Sequence, residues 1–482
     1  MDSEKQPEML ANSSSSNGKA PSAIPESQIP TRICTPTKEM KEKDVDTQTL
    51  PAASGRCSPK RYDLTRRQRL ISRFQYGTLC YTLFIVGWND GSTGPLIPRM
   101  REVYNVGYTV VSVIFVLSCI GFIIGALVNV WLQNKLGFGK TLVLGCTMQI
   151  VVYSIQAAAP PFPVFAIFNG LNGVGLALQD AQANGFVGSL SRHRGTKMNI
   201  LQAFYGLGGL VAPFVSTQFA NMERWSFHYL VTLGLILINL TCQITAFRFK
   251  RLDEALKDGG EEVLSEAGGS EGGRFGQIMR NKNVHLLGFF MLAYVGAGVT
   301  IGGWIVTYII EVRNGGPSSG YIASGFYGGI TLSRVVLVPL NRWVGERRIQ
   351  FVYIALTLAF ELVIWFVPNL GVNAAMVALI GLVFGPMYPI TISVAARILP
   401  RQVFLGGVGW IAGFGQAGSA AVPFITGAIA QKYGIKNLHP TVMAMLGVMT
   451  ILLFLTPDRP SPNQGASEKE DVERPSIEKE EK

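Results

Sequence analysis

The sequence predicts an all-α membrane protein with twelve transmembrane helices, arranged as two pseudo-symmetric six-helix bundles. Three observations predict this fold: the composition, the apolar stretches and a set of motifs that occur twice. Of 482 residues, 48% are hydrophobic and only 15% are charged, whereas about a quarter of the residues of a typical soluble domain are charged. The composition therefore excludes an ordinary soluble domain.

Twelve apolar stretches of roughly 18–27 residues are long enough to cross the ~30 Å hydrocarbon layer of a bilayer. We call them spans 1 to 12. They are predicted at residues 75–98, 109–132, 141–159, 163–189, 198–219, 228–247, 284–310, 319–340, 350–367, 372–396, 404–430 and 440–456.

The polar segments around the spans define five expected regions. Residues 1–73 and 457–482 are rich in Ser, Pro, Lys and Glu, and such segments cannot bury a core, so both are expected to be disordered tails. Residues 74–247 and 284–456 are the two bundles, joined by a hydrophilic central loop at 248–283. No short apolar region follows a basic start, so span 1 is expected to act as the targeting signal.

The distribution of Lys and Arg predicts the orientation, because basic residues concentrate in cytoplasmic loops. The short loops on one side carry ten of these residues and those on the other side carry six. The basic run before span 1 and the central loop add to the richer side. We therefore expect both tails and the central loop to be cytoplasmic, and the net charge of +11 to reflect topology and not nucleic-acid binding.

The two halves of the chain resemble each other. Gly208 with Pro213-Phe214 in span 5 recurs as Gly418 with Pro423-Phe424 in span 11. Three further pairs follow the same order, at offsets of 207 to 216 residues: Gly170 and Gly381, Asn134 and Asn341, and Gly87-Trp88 and Gly303-Trp304. Repeats at a nearly constant offset indicate a duplicated six-helix unit.

This organisation resembles the major facilitator superfamily over residues 75–456. The loop signature of that family is a Gly-rich stretch with an Asp-Arg pair, followed by Gly and two basic residues. The loops at 134–140 and 341–348 (NKLGFGK and NRWVGERR) keep the basic residues and lack the Asp. The resemblance implies the twelve-helix fold and the transport of a small solute.

The stretch GWNDGSTGPLIPR at 87–99 is similar to a fungal branch related to the fucose/proton symporter group. That resemblance implies one functional acid in span 1 and another in span 4. The residues at these places are Asp90 and Asp180. We expect them to couple transport to protons.

Physical chemistry gives Asp90 the same importance. An ionised side chain inside a bilayer costs at least ~2.5–3.5 kcal/mol, so its default interpretation is functional. Asp90 lies about sixteen residues into span 1, roughly 24 Å along a helix. The alternative is that span 1 ends near Val86 and leaves Asp90 in a hydrated loop. We favour a transport cavity, to which Trp88 and Asn89 would contribute.

Amide side chains are unusually dense in spans 4 and 5. Such groups either line a water-filled pathway or hydrogen-bond helices together. As substrate-binding candidates we take Asn169, Asn172, Gln179, Asn199, Gln202 and Tyr205.

Aromatic residues extend the candidate site to the second half. Aromatic faces with amide and hydroxyl donors suit sugars or other neutral polar solutes, so Trp304, Tyr308 and Tyr388 are further candidates. For each of these three aromatic residues, the alternative to substrate binding is structural packing. Arg334 and Glu361 are expected to be structural, with Arg334 snorkelling to the cytoplasmic surface. The Gly385-Pro386 pair predicts a break in span 10.

The leading hypothesis is a secondary active transporter, proton-coupled and with a sugar-like substrate. Efflux of a fungal metabolite or drug, or a non-transporting receptor of the same fold, are the alternatives. The four histidines and six cysteines show neither catalytic nor metal-ligand spacing, so we expect no enzyme activity, cofactor, metal or disulfide. The expected partners are the solute, protons and membrane lipids, with no nucleic acid, and the expected state is a monomer in the plasma membrane.

Overall fold

A computed structural model of the chain describes residues 65–261 and 278–457. Over these residues the chain is helical, without β-strands. The helices are α1 (Arg66–Tyr104), α2 (Tyr108–Leu136), α3 (Phe138–Ala157), α4 (Phe162–Gly188), α5 (Arg194–Ala220), α6 (His228–Phe247), α7 (Leu252–Asp258), α8 (Lys282–Arg313), α9 (Tyr321–Val336), α10 (Val338–Val344), α11 (Glu346–Phe366), α12 (Leu370–Phe384), α13 (Met387–Ile398), α14 (Arg401–Tyr433) and α15 (Leu438–Leu455).

Within the described residues, ten helical segments are long and apolar enough to cross a membrane. Two more complete the twelve predicted spans. One is α1, whose 39 residues include the polar stretch around Asp90. The other is the pair α9 and α10, which meet at Leu337. The predicted all-α fold with twelve spans is confirmed.

We call the end of the molecule where α1 begins the proximal end, and the end where α1 finishes the distal end. The proximal end is the one that the charge pattern predicts to be cytoplasmic. Thr65 caps α1 there, with its hydroxyl accepting from the Gln68 amide nitrogen at 3.3 Å. The helix therefore starts about nine residues earlier than the predicted span, inside the region expected to be a tail.

The remaining predictions for the tails fall on residues 1–64 and 458–482, which lie outside the described residues, as does 262–277 of the central loop. The first part of that loop folds against the first bundle. Helix α7 buries Ala255 and Leu256, and the Gln75 side chain of α1 donates to the Ala255 carbonyl at 3.1 Å.

Helix α1 is continuous through the polar stretch, with Pro95 and Pro98 inside it. It ends at Asn105, which takes a left-handed conformation (φ 50°). The alternative that the helix stops near Val86 is therefore wrong, and Asp90 lies on a helix and not in a loop.

The same helix pairs form the main contacts in each half. In the first half α1 packs along α5 and α2 along α4; in the second, α8 packs along α14 and α9 along α12. The bundles meet where α5 contacts α9, α2 contacts α14 and α1 contacts α8. Equivalent positions thus carry equivalent contacts, as duplication predicts.

Repeated glycines explain how two of these pairs approach so closely. A Cβ atom on Gly208 of α5 would lie 1.9 Å from the Phe84 carbonyl oxygen of α1, and one on Gly418 of α14 would lie 2.1 Å from the Leu292 carbonyl oxygen of α8. Small residues at helix crossings let backbones touch in membranes, where packing takes the place of the hydrophobic driving force.

The repeated basic loops share a backbone feature. Gly137 ends α2 with a φ of 84°, and Gly345 ends α10 with a φ of 94°, a region of backbone space that glycine enters without steric cost. The two loops thus share a glycine turn, although both lack the acid of the family motif. The predicted break in span 10 is also present, at Gly385-Pro386 between α12 and α13.

We expect Gly208→Ala to lower the free energy of unfolding by about 1–3 kcal/mol, the usual cost of overpacking, because its methyl group has no room against α1. Thermal unfolding of the purified protein in detergent measures the effect. Gly234→Ala in α6 is the matched control, since a Cβ there meets nothing within 4 Å. Equal stability of both variants would contradict the close-packed crossing.

Candidate functional site

Helix α1 divides its polar residues between two environments. Trp88 and Asn89 point into the first bundle: the Trp88 indole donates to the Thr232 hydroxyl at 2.9 Å and stacks on His228, with ring centroids 5.8 Å apart. Asp90 points instead to α5, the helix that borders the second bundle. Adjacent residues on a helix are about 100° apart, which makes this division possible.

Both oxygens of the Asp90 carboxylate carry a hydrogen bond. Oδ2 accepts from the Tyr205 hydroxyl at 2.7 Å, and Oδ1 accepts from the Asn89 amide at 3.0 Å. Tyr327 of α9 lies within electrostatic range of Asp90 and packs against Gly209 of α5. The acid is therefore placed where the two bundles meet, and it is only partly buried.

Arg334 of α9 crosses the bundle interface beside this acid. Its guanidinium donates to the Gln202 carbonyl of α5 and lies over the Tyr205 ring, 5.7 Å from the centroid. The expectation that it snorkels to the surface is wrong. The reason is that α5 offers the guanidinium a backbone acceptor and a ring face. Tyr294 and Tyr388 of the second bundle also lie within electrostatic range of it.

Asp180 of α4 reaches the same face of α5 through Asn184 and Gln202. Its Oδ1 accepts from the Asn184 amide at 2.9 Å, and Asn184 accepts from Gln202 at 3.1 Å. Gln202 lies one turn from Tyr205 on α5. A continuous set of polar groups therefore leads from Asp90 to Asp180 without a direct contact between the two carboxylates.

We call this set the central cluster. It comprises two acids, one arginine, two amides and three tyrosines, all partly or largely buried between the bundles: Asp90, Asp180, Arg334, Asn184, Gln202, Tyr205, Tyr327 and Tyr388. Two carboxyl groups with hydroxyl and amide neighbours can bind and release protons, and the same hydroxyls and amides can hydrogen-bond a neutral solute.

Several predicted site residues lie away from the central cluster, inside the first bundle. Gln179 is fully buried; it donates to Gln149 at 2.7 Å and accepts from Asn239 at 3.2 Å. Asn169 donates to the Ile114 carbonyl at 3.0 Å. Asn172 is fully buried and donates to Asn89 at 2.9 Å. These contacts are those of the alternative interpretation, hydrogen bonds between helices.

The other candidates are also separated. Asn199 is exposed near the proximal end of α5. Trp304 is fully buried, with its indole donating to the Pro423 carbonyl at 3.1 Å. Tyr308 packs edge-on against His439, centroid to centroid 4.4 Å. Of the second-half candidates only Tyr388 joins the central cluster, so substrate roles for the others stay predictions.

Glu361 has the structural partner that its expected role requires. Its Oε2 lies 2.6 Å from Nδ1 of His439, and both residues are 1% exposed. The pair joins α11 to α15 inside the second bundle. A buried carboxylate needs such a partner.

Sequence reasoning missed Tyr153, Tyr294 and, as a member of the cluster, Arg334. Tyr153 is a lone hydroxyl in an apolar span, and its contact with Asn89 depends on how α1, α3 and α4 pack. Arg334 could have been recognised because it follows Tyr327 by seven residues, which puts both on one face of α9.

A small cavity lies behind Asn89, within the first bundle. Its volume is about 30 Å³, and Trp88, Asn89, Tyr153, Gln156 and His228 are among its lining residues. Solute pockets in proteins measure roughly 300–1,000 Å³, so this cavity accommodates only water-sized molecules. Among the described residues no group of three or more His, Cys, Asp or Glu side chains could hold a metal ion.

The bundles are locked together at the distal end. Glu311 of α8 accepts from Arg101 of α1 and from the Tyr108 hydroxyl of α2, while the Arg101 guanidinium lies 3.5 Å from the Tyr108 ring centroid. Asn221 of α5 donates to the Pro317 carbonyl at 3.1 Å. We call the Arg101, Tyr108 and Glu311 contacts the distal latch.

Twelve membrane-crossing helices in two similar bundles, with partly buried acids where the bundles meet, define a membrane transporter. The family model described as Major Facilitator Superfamily matches residues 79–403 and 315–481. The chain belongs to this superfamily. It is a multi-pass membrane protein that transports small solutes, and not an enzyme.

Two curated relatives illustrate the range of the family. "Bypass of stop codon protein 6" of Saccharomyces cerevisiae is 27% identical over 405 residues, which cover 78% of this chain and 81% of that protein. "Glucose/mannose transporter GlcP" of Bacillus subtilis is 22% identical over 320 residues, covering 66% of this chain and 79% of that protein.

Solved structures support the fold. A mutant of the nucleoside transporter NupG superposes with a TM-score of 0.63 at 13% identity, covering 80% of this chain and 98% of that one. A mutant of the E. coli fucose:proton symporter FucP superposes with a TM-score of 0.56 at 16% identity. The match covers 79% of this chain and 98% of the FucP chain. The resemblance to the fucose symporter group is thus confirmed at the level of the fold.

Cys119 reports on the distal latch, because its thiol donates to the Gln416 carbonyl across the α2–α14 contact at 3.1 Å and is 6% exposed. With the other five cysteines replaced, we expect Glu311→Gln to raise the rate of Cys119 alkylation several-fold, since losing the charge weakens the latch. Glu102→Gln is the control, because Glu102 pairs with Arg99 on the same helix. Equal rates in both variants would show that the latch does not hold the bundles closed.

Proposed function

We propose that the protein is a proton-coupled secondary transporter of a neutral, sugar-like solute in the plasma membrane. The observation that carries the proposal is the central cluster. It connects two carboxyl groups on α1 and α4, through α5, to an arginine and tyrosines of the second bundle. Groups that titrate and groups that hydrogen-bond solute are thus held at the contact between the two moving parts.

The chemistry of the cluster supports a neutral polar substrate. The hydroxyls of Tyr205, Tyr327 and Tyr388 and the amides of Asn184 and Gln202 offer donors and acceptors beside aromatic faces, a combination that suits a sugar ring. The glucose/mannose transporter and the fucose:proton symporter among the related proteins favour the same class.

Asp90 and Asp180 are proposed to have different tasks. Asp90 is bound by Tyr205 and faces the second bundle across the solute route, so it serves substrate and proton together. Asp180 is bound only within the first bundle, through Asn184, and lies further towards the proximal end, so it governs proton release there. In this scheme the two carry separate protons. No described hydrogen bond joins the two carboxyl groups, although Asp90 lies within electrostatic range of Asp180, and a shared site requires carboxyl groups within ~4–6 Å.

We expect Asp180→Asn to retain exchange of labelled solute across the membrane and to abolish accumulation against a gradient. Asp90→Asn is expected to impair substrate binding and all transport modes. Both are measured in proteoliposomes with an imposed pH gradient. Asp253→Asn on the exposed surface of α7 is the control for a lost carboxylate. Equal loss of exchange and accumulation in both variants would indicate one shared site. Uphill transport by Asp180→Asn would show that Asp180 takes no part in proton coupling.

Orientation is part of the proposal: the proximal end, with both tails and the central loop, is cytoplasmic. The distal latch then closes the external side. In intact cells we expect single cysteines placed in 1–64, 262–277 or 458–482 to be protected from impermeant thiol reagents and to react after permeabilisation. A cysteine at Glu223, between α5 and α6, is the external control. Labelling of a tail from outside would reverse the orientation.

The solute is identified by screening sugars and other neutral polar compounds in the same proteoliposomes. Accumulation inside when the exterior is acidic supports uptake with protons. Extrusion of aromatic compounds under the same conditions supports the efflux alternative. Saturable binding without flux supports a receptor. We propose a monomer as the functional unit, because each chain contains both bundles.

A further inference from the structure

We propose that Tyr153 and Asn172 lock the amide of Asn89 and thereby decide which oxygen of Asp90 takes the proton: Oδ2, on the side of Tyr205. Both are positioning residues, acting through Asn89. This inference rests on the proposed role of Asp90 as a proton carrier.

The lock is a closed triangle of hydrogen bonds inside the first bundle. Tyr153 of α3 donates to Asn89 Oδ1 at 2.9 Å, Asn172 of α4 donates to the same oxygen at 2.9 Å, and Asn172 also donates to the Tyr153 hydroxyl oxygen at 3.0 Å. Tyr153 is 2% exposed and Asn172 is fully buried. Residues of α3 and α4 therefore fix one side chain of α1.

The triangle determines how the Asn89 amide is oriented. Its Oδ1 receives two donors, so turning this amide over by itself would bring its NH₂ group against the NH₂ group of Asn172. To restore the hydrogen bonds, Asn172, whose Oδ1 has no described partner, would have to turn over as well and the Tyr153 hydroxyl would have to rotate. Buried donors without acceptors are costly, at about 1–3 kcal/mol each. Asn89 Nδ2 is consequently held towards Asp90, where it donates to Oδ1 at 3.0 Å.

The two oxygens of Asp90 thus differ in whether a proton bound to them would find a hydrogen-bond acceptor. A proton on Oδ1 would meet the fixed NH₂ group of Asn89, which has no lone pair to offer. A proton on Oδ2 meets the Tyr205 hydroxyl, which can rotate and accept instead of donating. Protonation forms one O–H bond at Oδ2 and converts a hydronium ion of the solute route to water.

The direction of proton entry follows. Oδ2 is bound by Tyr205 of α5, whereas Oδ1 is bound by Asn89, whose side chain separates it from the water-sized cavity that Asn89 lines. A proton therefore enters and leaves from the side that opens and closes during transport. The locked amide prevents exchange with the cavity, which would bypass the alternation.

Infrared difference spectroscopy of the purified protein tests the lock independently of transport. The band of the protonated Asp90 carboxyl is the one that disappears in Asp90→Asn. In the unaltered protein its C=O accepts from Asn89, so we expect a single narrow band. In Tyr153→Phe the amide can turn over, and we expect the band to split or broaden, and to do so further when Asn172→Ala is added.

Tyr229→Phe is the matched control. Tyr229 lines the same cavity and stacks on Tyr153 with centroids 6.0 Å apart, and no described hydrogen bond joins it to Asn89. Its loss of a hydroxyl is expected to leave the band unchanged. Asn89→Leu removes the donor itself and is expected to move the band to higher wavenumber. This variant provides the test of the lock if Tyr153→Phe does not fold.

The outcomes separate this inference from the proposed function. A carboxyl band that is lost in Asp90→Asn but unchanged in Tyr153→Phe, in the double variant and in Asn89→Leu overturns the lock and leaves Asp90 as proton carrier. The absence of any band assignable to Asp90 between pH 4 and 9 (about the range in which buried carboxyls titrate) would overturn the proton role itself. Equal band changes in Tyr153→Phe and Tyr229→Phe would indicate a general loosening of the cavity and would contradict a specific lock on Asn89.

Discussion

An ionisable side chain cannot face lipid, and the placement of Asp90 depends on this constraint. The cost of the charge is met by two hydrogen bonds and by a position where the bundles cover the acid. Other features follow from it: α5 must present Tyr205 at that height, α9 must bring Arg334 across, and α1 must remain helical through Asp90 to place the acid between the bundles. The polar groups of the interface are thus arranged around a carboxyl group, and the apolar residues around them exclude lipid.

The duplicated halves have kept their packing and changed their polar interiors. In the first half, His228 at the start of α6 stacks on Trp88 of α1. In the second half, His439 at the start of α15 packs on Tyr308 of α8, but there Glu361 completes a buried hydrogen-bonded pair. The contacts that Gly208 and Gly418 make with the facing helix are nearly identical in the two halves. Backbone contacts tolerate little change, whereas side chains that fill the bundle are free to diverge as long as each polar group has a partner.

The sequence predicted the fold more completely than the site, for physical reasons. Span length and the repeated glycines report on lipid thickness and helix crossings, which are local properties of the chain. Whether Gln179 faces a solute route or another amide depends on the rotation of α4 against α3 and α6, to which a pattern of amides along one helix is indifferent. Arg334 was misjudged because its depth suggested the surface, while its partners come from a helix more than a hundred residues away.

The glycine-mediated contacts between α1 and α5 and between α8 and α14 also have a mechanical consequence. Backbone touching backbone leaves few side-chain rotamers that could absorb a displacement, so each bundle is stiff. At 1.5 Å per residue, the 39 residues of α1 form a rod about 58 Å long, with Asp90 well inside its length. A stiff rod pivoting near such a point acts as a lever: a shift too small to notice beside the carboxyl group becomes several ångströms of travel at Arg101. The separation between Asp90 and Arg101 along the helix therefore determines how strongly a displacement near the acid is amplified at the distal latch.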